Sequence, residues 1–358
     1  MTEHKKQFFK ALCRFREPFP DECLTDAATP DVLGLLFFNR MHGIAYGVLK
    51  RSGLLGKVNR EFRNPLADAY EQNIQKNRSY RECIARLTAL LAPCPCRVAM
   101  LKGAYLCFHY PAGYRTANDV DLLVHPKDVT VIGNLLTSAG FSQGTIRDGA
   151  FVPATRQEII SSRMLRGETV PYIKEVNLPF MRFFEVDINF SLDHKNSDTG
   201  VLAQMLSDVS VRAADGLSLP TLSEADFFLH LCAHLYKEAT TLPWIEMQRD
   251  MTLYKYCDIY LLLSEMADEQ FLRVFSRAQE LGMEKICAYA VLEAMELFAM
   301  HRPTVCHLAE AALADDPDFR RRVTSPKDRK TLLYATDDAD ARFFSKARIR
   351  QLKEVAQK

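Results

Sequence analysis

The spacing of apolar residues changes twice along this 358-residue chain, and these changes most limit the folds it can adopt. Residues 32–55 and 73–91 carry apolar side chains at every third or fourth position, which is typical of amphipathic helices. Between about residues 97 and 215, short β-branched and aromatic runs alternate with turn residues, which indicates strands. The helical spacing then returns at Thr221. We therefore predict an N-terminal helical region, a mixed core and a C-terminal helical region, over residues 1–92, 93–220 and 221–358.

Four short runs in the middle region are predicted to be strands, and one longer segment is predicted to be a helix. The helix covers residues 126–140 and should end at Gly140, because glycine readily takes the left-handed conformation that closes helices. The predicted strands are 97–101, 119–124, 172–178 and 182–192.

Composition excludes several classes of protein. Hydrophobic and charged contents of 48% and 25% are ordinary for a globular protein, and the net charge of +1 argues against a broad nucleic-acid-binding surface. No run of 18 apolar residues occurs and the N-terminus lacks the apolar core of a signal peptide, so we expect no membrane partner. Ten scattered cysteines indicate reduced thiols. We therefore predict a cytoplasmic protein.

Two aspartates interrupt the apolar run of residues 119–124. Residues two apart in a strand face the same way, so Asp119 and Asp121 should project together about 7 Å apart. Two carboxylates this close repel each other unless a cation lies between them. A strand end that dips into solvent would explain the pair equally well.

A third acidic position lies on the last predicted strand. Glu185, Asp187 and Asn189 share one strand face, while the intervening apolar residues take the other. If this strand pairs with the strand that carries Asp119 and Asp121, the Asp187 carboxylate can converge on both. We prefer Asp187 to Glu185, which we expect to be solvated or paired with Arg182. Three converging carboxylates suit a pair of divalent cations.

Residues 102–104 follow the first predicted strand and open a predicted helix that reaches about Tyr110. Small residues at Gly103 and Ala104 would let backbone N–H groups approach a phosphate, and the Lys102 ammonium could contact it. Arg115 could clamp a phosphate through its guanidinium. An ordinary strand-to-helix turn and a solvated arginine are the alternatives.

These residues together resemble the DNA polymerase beta-like nucleotidyltransferase superfamily, and within it the bacterial group known as uncharacterised nucleotidyltransferase. The resemblance is strongest over residues 98–125 and extends to 184–190. It implies an α+β fold with a mixed sheet, flanking helices and helical regions at both ends. The residues that carry it are Lys102-Gly103, Gly113, Arg115, Asp119-Val120-Asp121 and Val186-Asp187-Ile188.

The resemblance also implies the chemistry. Asp119, Asp121 and Asp187 would be catalytic residues that bind two Mg²⁺ ions, with Mn²⁺ as a substitute, and Asp187 would also help to deprotonate the acceptor hydroxyl. The nucleotide, most simply ATP, would contact residues 102–104, Arg115 and His234. A nucleoside monophosphate would pass to a small-molecule acceptor, and pyrophosphate would leave.

Two other functions remain open from the sequence. One is a toxin-like nucleotidyltransferase that modifies tRNA or a protein. The other is an inactive nucleotide-binding or partner-binding protein, which Ala104 favours because serine is usual at that position in the superfamily.

Two further features have more than one interpretation. His230 and His234 share a helix face, and core packing, substrate contact by His234 and a metal site are all possible. Residues 320–358 contain twelve Lys/Arg and five Asp/Glu, which predicts a solvated helix face or tail, or alternatively an RNA-binding segment.

Overall fold

The computed structural model describes residues 1–192, 199–345 and 347–355. The chain divides into two compact units, one of residues 70–227 and the other of residues 1–69 together with 228–358. Both divisions fall inside long helices rather than in linkers. Residues 1–69 and 228–358, which make up most of the two predicted terminal regions, therefore belong to one unit.

The strands are numbered β1 to β11 along the chain. They are β1 Val98–Met100, β2 Asp119–Val124, β3 Ser142–Arg147, β4 Ala150–Pro153, β5 Tyr172–Leu178, β6 Met181–Asn189, β7 Ser210–Ala214, β8 Leu217–Thr221, β9 Arg322–Ser325, β10 Lys330–Tyr334 and β11 Leu352–Glu354.

The α-helices are numbered in the same way. They are α1 Glu3–Cys13, α2 Pro30–Phe38, α3 His42–Arg51, α4 Arg60–Leu91, α5 Gly103–Leu106, α6 Val129–Ser138, α7 Arg156–Leu165, α8 Thr199–Ser207, α9 Glu224–Ala239, α10 Leu242–Glu246, α11 Leu253–Glu265, α12 Asp268–Glu280, α13 Glu284–Phe298, α14 Pro303–Leu313 and α15 Ala339–Phe343.

A six-stranded mixed sheet organises the unit of residues 70–227. Its strand order is β1-β2-β6-β5-β3-β4. β2 and β6 run parallel, and the other neighbouring strands are antiparallel. Helix α6 packs on β5 so closely that a Cβ at Gly133 would lie 2.4 Å from the Tyr172 hydroxyl. The predicted α+β fold, with a mixed sheet and flanking helices, is confirmed.

The predicted elements of this unit are found close to their expected positions. β2 and β5 match the predicted strands, and β6 covers most of the fourth. Helix α6 lies inside the predicted segment, and Gly140 follows it with a φ of +87°. The helix predicted to reach Tyr110 is shorter, because α5 ends at Leu106 and irregular turns continue from there.

Alternation along β6 gives the sheet one apolar face and one polar face. Phe184, Val186 and Ile188 are buried, whereas Glu185, Asp187 and Asn189 are only partly buried. Apolar burial on one side drives this alternation, since successive strand residues point to opposite faces. Burial of the apolar side chains in the core therefore determines that Glu185, Asp187 and Asn189 lie on the opposite face of the sheet.

The other unit is mainly helical, and its last part forms a small sheet. The antiparallel strands β9, β10 and β11 pair in the order β11-β10-β9. Val323 and Tyr334 from this sheet pack with Ile245 in a small buried cluster. The prediction that residues 320–358 form a solvated helix face or tail is therefore wrong for these strands.

No single helix among the described residues is both long and apolar enough to cross a membrane. Helices α2 and α3 pass the same test of length and composition only as a pair, and the chain bends by 117° between them.

Candidate active site

The parallel pairing of β2 with β6 brings the three predicted catalytic aspartates to one face of the sheet. Asp187 lies directly opposite Asp121, and Glu185 lies opposite Asp119. Paired residues on neighbouring strands point the same way and are about 5 Å apart. We call Asp119, Asp121 and Asp187, together with Lys102, the carboxylate cluster.

Lys102 places a positive charge beside the three aspartates. Its ammonium lies 2.9 Å from Asp121 Oδ1, and the side chains are only 20% and 12% exposed. The Asn189 amide donates a hydrogen bond to the same oxygen over 3.2 Å. Burial opposes the charged form of Lys102, but Asp121, Asp119 and Asp187 together raise its pKa above the usual value.

Asp187 has the most perturbed carboxyl of the cluster. Burial raises its pKa well above the usual range, and the negative charges of Asp121, Asp119 and Glu168 raise it further, while Lys102 opposes this shift. A cation bound among these carboxylates would oppose this shift and favour the ionised form of Asp187.

The backbone of Asp119 is held by a tyrosine from helix α4. The buried Tyr80 hydroxyl donates a hydrogen bond of 2.6 Å to the Asp119 carbonyl oxygen. The Asp119 side chain remains exposed at the start of β2. This bond fixes the strand end from which the carboxylate projects.

The turn that joins β1 to α5 brings Lys102 and Gly103 to the same place. The Ala104 N–H donates a hydrogen bond of 3.1 Å to the Leu101 carbonyl oxygen, and this bond closes the turn. Lys102 has φ 44° and ψ −116°, which match the first central position of a type II′ turn. That position strongly favours glycine, and lysine is strained there.

Gly103 lies where a side chain would not fit. A Cβ there would approach Ala117 Cβ to 2.9 Å and the buried Arg115 Nη1 to 3.2 Å. The Arg115 guanidinium is 6.0 Å from the Tyr110 ring centroid. Arg115 is therefore held beside Gly103, close to the predicted phosphate-binding turn.

Glu168 is a fourth acidic residue that the sequence pattern did not reveal. It forms an isolated antiparallel bridge with Asn189, and the Thr169 N–H next to it donates to the Ile188 carbonyl over 2.9 Å. The bridge places Glu168 on the Asp187 side of β6, consistent with its effect on the Asp187 pKa. Arg166 pairs with it at 2.6 Å.

Glu185 does not pair with Arg182, and that part of the prediction is wrong. Arg182 and Glu185 lie three apart on β6 and so face opposite ways, and Arg182 pairs instead with Glu175 at 2.9 Å. Burial and Asp119 raise the pKa of Glu185.

The two histidines lie in the other unit. His230 is buried in helix α9, and His234 Nε2 is 3.4 Å from Glu238 Oε1. Glu238 also pairs with Lys255. Nucleotide contact by His234 stays a prediction.

Ion pairs within the same unit occupy much of the basic C-terminal segment. Arg342 holds both oxygens of the fully buried Glu293 at 2.5 Å, and Arg320 bridges Glu293 and Glu296 at 2.8 Å and 2.5 Å. We call these four residues the arginine–glutamate cluster. Further pairs join Arg321 to Asp318, Arg322 to Asp316, Lys330 to Glu354 and Arg348 to Asp250. These contacts give the segment a structural role.

The donor chemistry of the carboxylate cluster fits a divalent cation. Carboxylate oxygens are the ligands that Mg²⁺ and Mn²⁺ prefer, and the Lys102 ammonium already places a cation on Asp121. Among residues 1–192, 199–345 and 347–355, no three His, Cys, Asp or Glu side chains are arranged to hold a metal ion. Metal binding would therefore require side chains of the cluster to move.

The sequence matches the family described as uncharacterised nucleotidyltransferase over residues 26–299. This chain therefore belongs to that family. No curated protein matches it.

One solved structure to which the chain is similar is an antigenic nucleotidyltransferase-like protein from Paracoccidioides brasiliensis. The two sequences are 16% identical, and the TM-score is 0.36. The similarity covers 64% of this chain and 92% of the other.

Proposed function

We propose that this protein transfers a nucleoside monophosphate from a nucleoside triphosphate, most simply ATP, to the hydroxyl group of a small-molecule acceptor. The acceptor oxygen forms a bond to the α-phosphorus, and the bond to the leaving pyrophosphate breaks. The observation that carries this proposal is the register of β2 and β6, which sets Asp187 opposite Asp121 beside Lys102.

Each residue of the site has a role in this reaction. Asp119, Asp121 and Asp187 would hold Mg²⁺, which when bound neutralises phosphate charge and aligns the triphosphate. Lys102 and Arg115 would bind phosphate oxygens, because both are cationic and lie beside Gly103. Asp187 would orient the acceptor hydroxyl and take its proton, because its carboxyl lies on the same face of the sheet as Asp121, opposite it on the neighbouring strand.

The test is nucleotidyl transfer by the full chain, with each α-³²P-labelled nucleoside triphosphate, Mg²⁺ and fractionated cell extract. We expect label in a small-molecule fraction together with release of pyrophosphate. Asp119→Asn should reduce transfer on the order of 10²-fold or more, as removal of a single transition-state-stabilising group does in other enzymes. Asp148→Asn removes a carboxylate from the exposed turn between β3 and β4 and is the matched control.

Other outcomes would redirect the proposal. Label in tRNA or protein would replace the small-molecule acceptor with a macromolecule. Wild-type protein that transfers nothing to any fraction, and an Asp119→Asn variant that behaves the same, would overturn the enzymatic function in favour of a binding protein.

A further inference from the structure

Lys102 pairs with one oxygen of Asp121, a predicted metal ligand. Asp121 Oδ1 accepts from both the Lys102 ammonium and the Asn189 amide, at 2.9 Å and 3.2 Å. An oxygen with two donors in place has little capacity left for a metal ion, which also needs short oxygen contacts of about 2.1 Å. Binding of metal at this oxygen therefore competes with Lys102.

Electrostatics makes the competition stronger. A divalent cation on Asp121 would come within a few ångströms of the ammonium, and both charges would lie in a partly buried site where water screens them weakly. The Lys102 side chain is a flexible four-carbon stem that ends in a point charge, so the ammonium can change partner while its backbone stays in place. A polyphosphate beside Gly103 would offer it that other partner.

We propose that Lys102 makes metal binding depend on the nucleotide: its ammonium excludes a divalent cation from Asp121 until a polyphosphate draws it away. This inference rests on the proposed function for the identity of the polyphosphate. It assigns Lys102 a second role besides phosphate contact, as the residue that sets the order in which metal and nucleotide bind.

The experiment is a titration of the full-length protein with Mn²⁺ alone, in which free Mn²⁺ is measured by electron paramagnetic resonance. We expect Lys102→Met to bind Mn²⁺ at least about tenfold more tightly than the wild type, because the competing charge is gone. Lys102→Arg keeps the charge and should resemble the wild type. Lys127→Met removes an exposed lysine just beyond β2 and should also leave Mn²⁺ affinity unchanged.

In a second arm of the experiment, inorganic triphosphate or a non-hydrolysable ATP analogue is added to the protein. The Mn²⁺ that each compound binds in the absence of protein is measured separately and subtracted. Triphosphate should raise the Mn²⁺ affinity of the wild type at least about tenfold and that of Lys102→Met by clearly less. If the ATP analogue raises the Mn²⁺ affinity and inorganic triphosphate does not, then contacts with the nucleoside, rather than phosphate charge, control metal binding. That result would overturn the proposal that the Lys102 ammonium moves from Asp121 to phosphate.

The proposal is also overturned if Lys102→Met binds Mn²⁺ alone no more tightly than the wild type. Thermal unfolding checks that the variants are folded, and Lys102→Gln replaces Lys102→Met if the latter is not. The Mn²⁺ arm contains no nucleotide and measures no transfer, so failure of the proposed transferase activity would leave its result intact.

Discussion

Two partly buried groups of charged residues in the described part of the chain differ in how their carboxyl groups are paired. The arginine–glutamate cluster matches two guanidinium groups with two carboxylates, and Glu293 and Arg342 are 0% and 1% exposed. In the carboxylate cluster three carboxylates lie close together, and burial and like charge raise the pKa of Asp187. A carboxylate paired with a guanidinium needs no ligand to be stable, whereas carboxylates that repel one another are stabilised by an added cation.

This difference separates a structural site from a candidate functional site more clearly than residue type does. Both clusters contain acidic residues beside basic ones, and both include buried side chains. Strongly perturbed carboxyl groups are typical of catalytic sites, because function rather than stability holds them in place. The following variants test that contrast.

The largest effect should come from Glu293→Gln. The change leaves Arg342, which is 1% exposed, and Arg320 without their shared carboxylate. Removal of one partner from a buried ion pair typically costs about 3–5 kcal/mol of unfolding free energy. Urea unfolding measures this loss, and Asp318→Asn, which breaks only a surface pair with Arg321, should cost about 1 kcal/mol or less. Equal effects of the two variants would refute the structural role of the cluster.

A smaller effect of opposite sign is expected from Asp187→Asn in metal-free buffer. The pKa of Asp187 is raised in the folded protein, so the folded state holds this proton more tightly than the unfolded chain does. The resulting cost to folding is present in full above the folded pKa and disappears as the pH falls to the unfolded value of about 3.9. The variant should therefore have a higher Tm than the wild type at neutral pH, and this gain should vanish near pH 4.

Thermal unfolding between pH 4 and pH 8 measures that gain. In a chain of this length, each kcal/mol of added unfolding free energy should raise the Tm by about 2–4 °C at most. Glu175→Gln, on the same sheet but exposed, is the control and should show no such trend. The same Asp187→Asn protein should bind nucleotide yet transfer none of it. A Tm gain that is constant with pH would show that Asp187 is not the perturbed group.

The smallest effect is expected from Glu185→Gln. Glu185 lies opposite Asp119, but it has no assigned part in transfer and its burial is only partial. We expect a change in unfolding free energy within about 0.5 kcal/mol, as for most substitutions outside tightly packed sites, and transfer close to the wild-type rate. Loss of transfer comparable to that of Asp187→Asn would assign the third acidic role to Glu185 instead.

The sequence pattern located the strands of the site but not all of its members. The bounds of β2 and β5 could be predicted because period-two alternation and turn residues define them locally. The register of β2 against β6 depends on tertiary pairing and could only be assumed. Glu168 could not be found, because it follows Gly167 in a connection without a motif and reaches the site through its bridge to Asn189.

The small C-terminal sheet escaped prediction for a different reason. Its strands have only three to five residues. Strands β9 and β10 also carry arginine, lysine and threonine, which are typical of solvent-exposed segments. The charges of this segment are neutralised by acidic partners far away in the chain, such as Glu293 for Arg342 and Asp250 for Arg348. Composition counts charges but does not show with what they pair.

The conformation of Lys102 has a consequence for how this protein could be altered. A residue other than glycine with φ 44° and ψ −116° costs of order 1–3 kcal/mol of folding free energy. Lys102→Gly would relieve that cost and at the same time remove the ammonium from Asp121. Selection for thermal stability should therefore favour glycine at position 102, whereas the proposed transfer depends on lysine, so that a library screened for stability alone would lose the ammonium from Asp121.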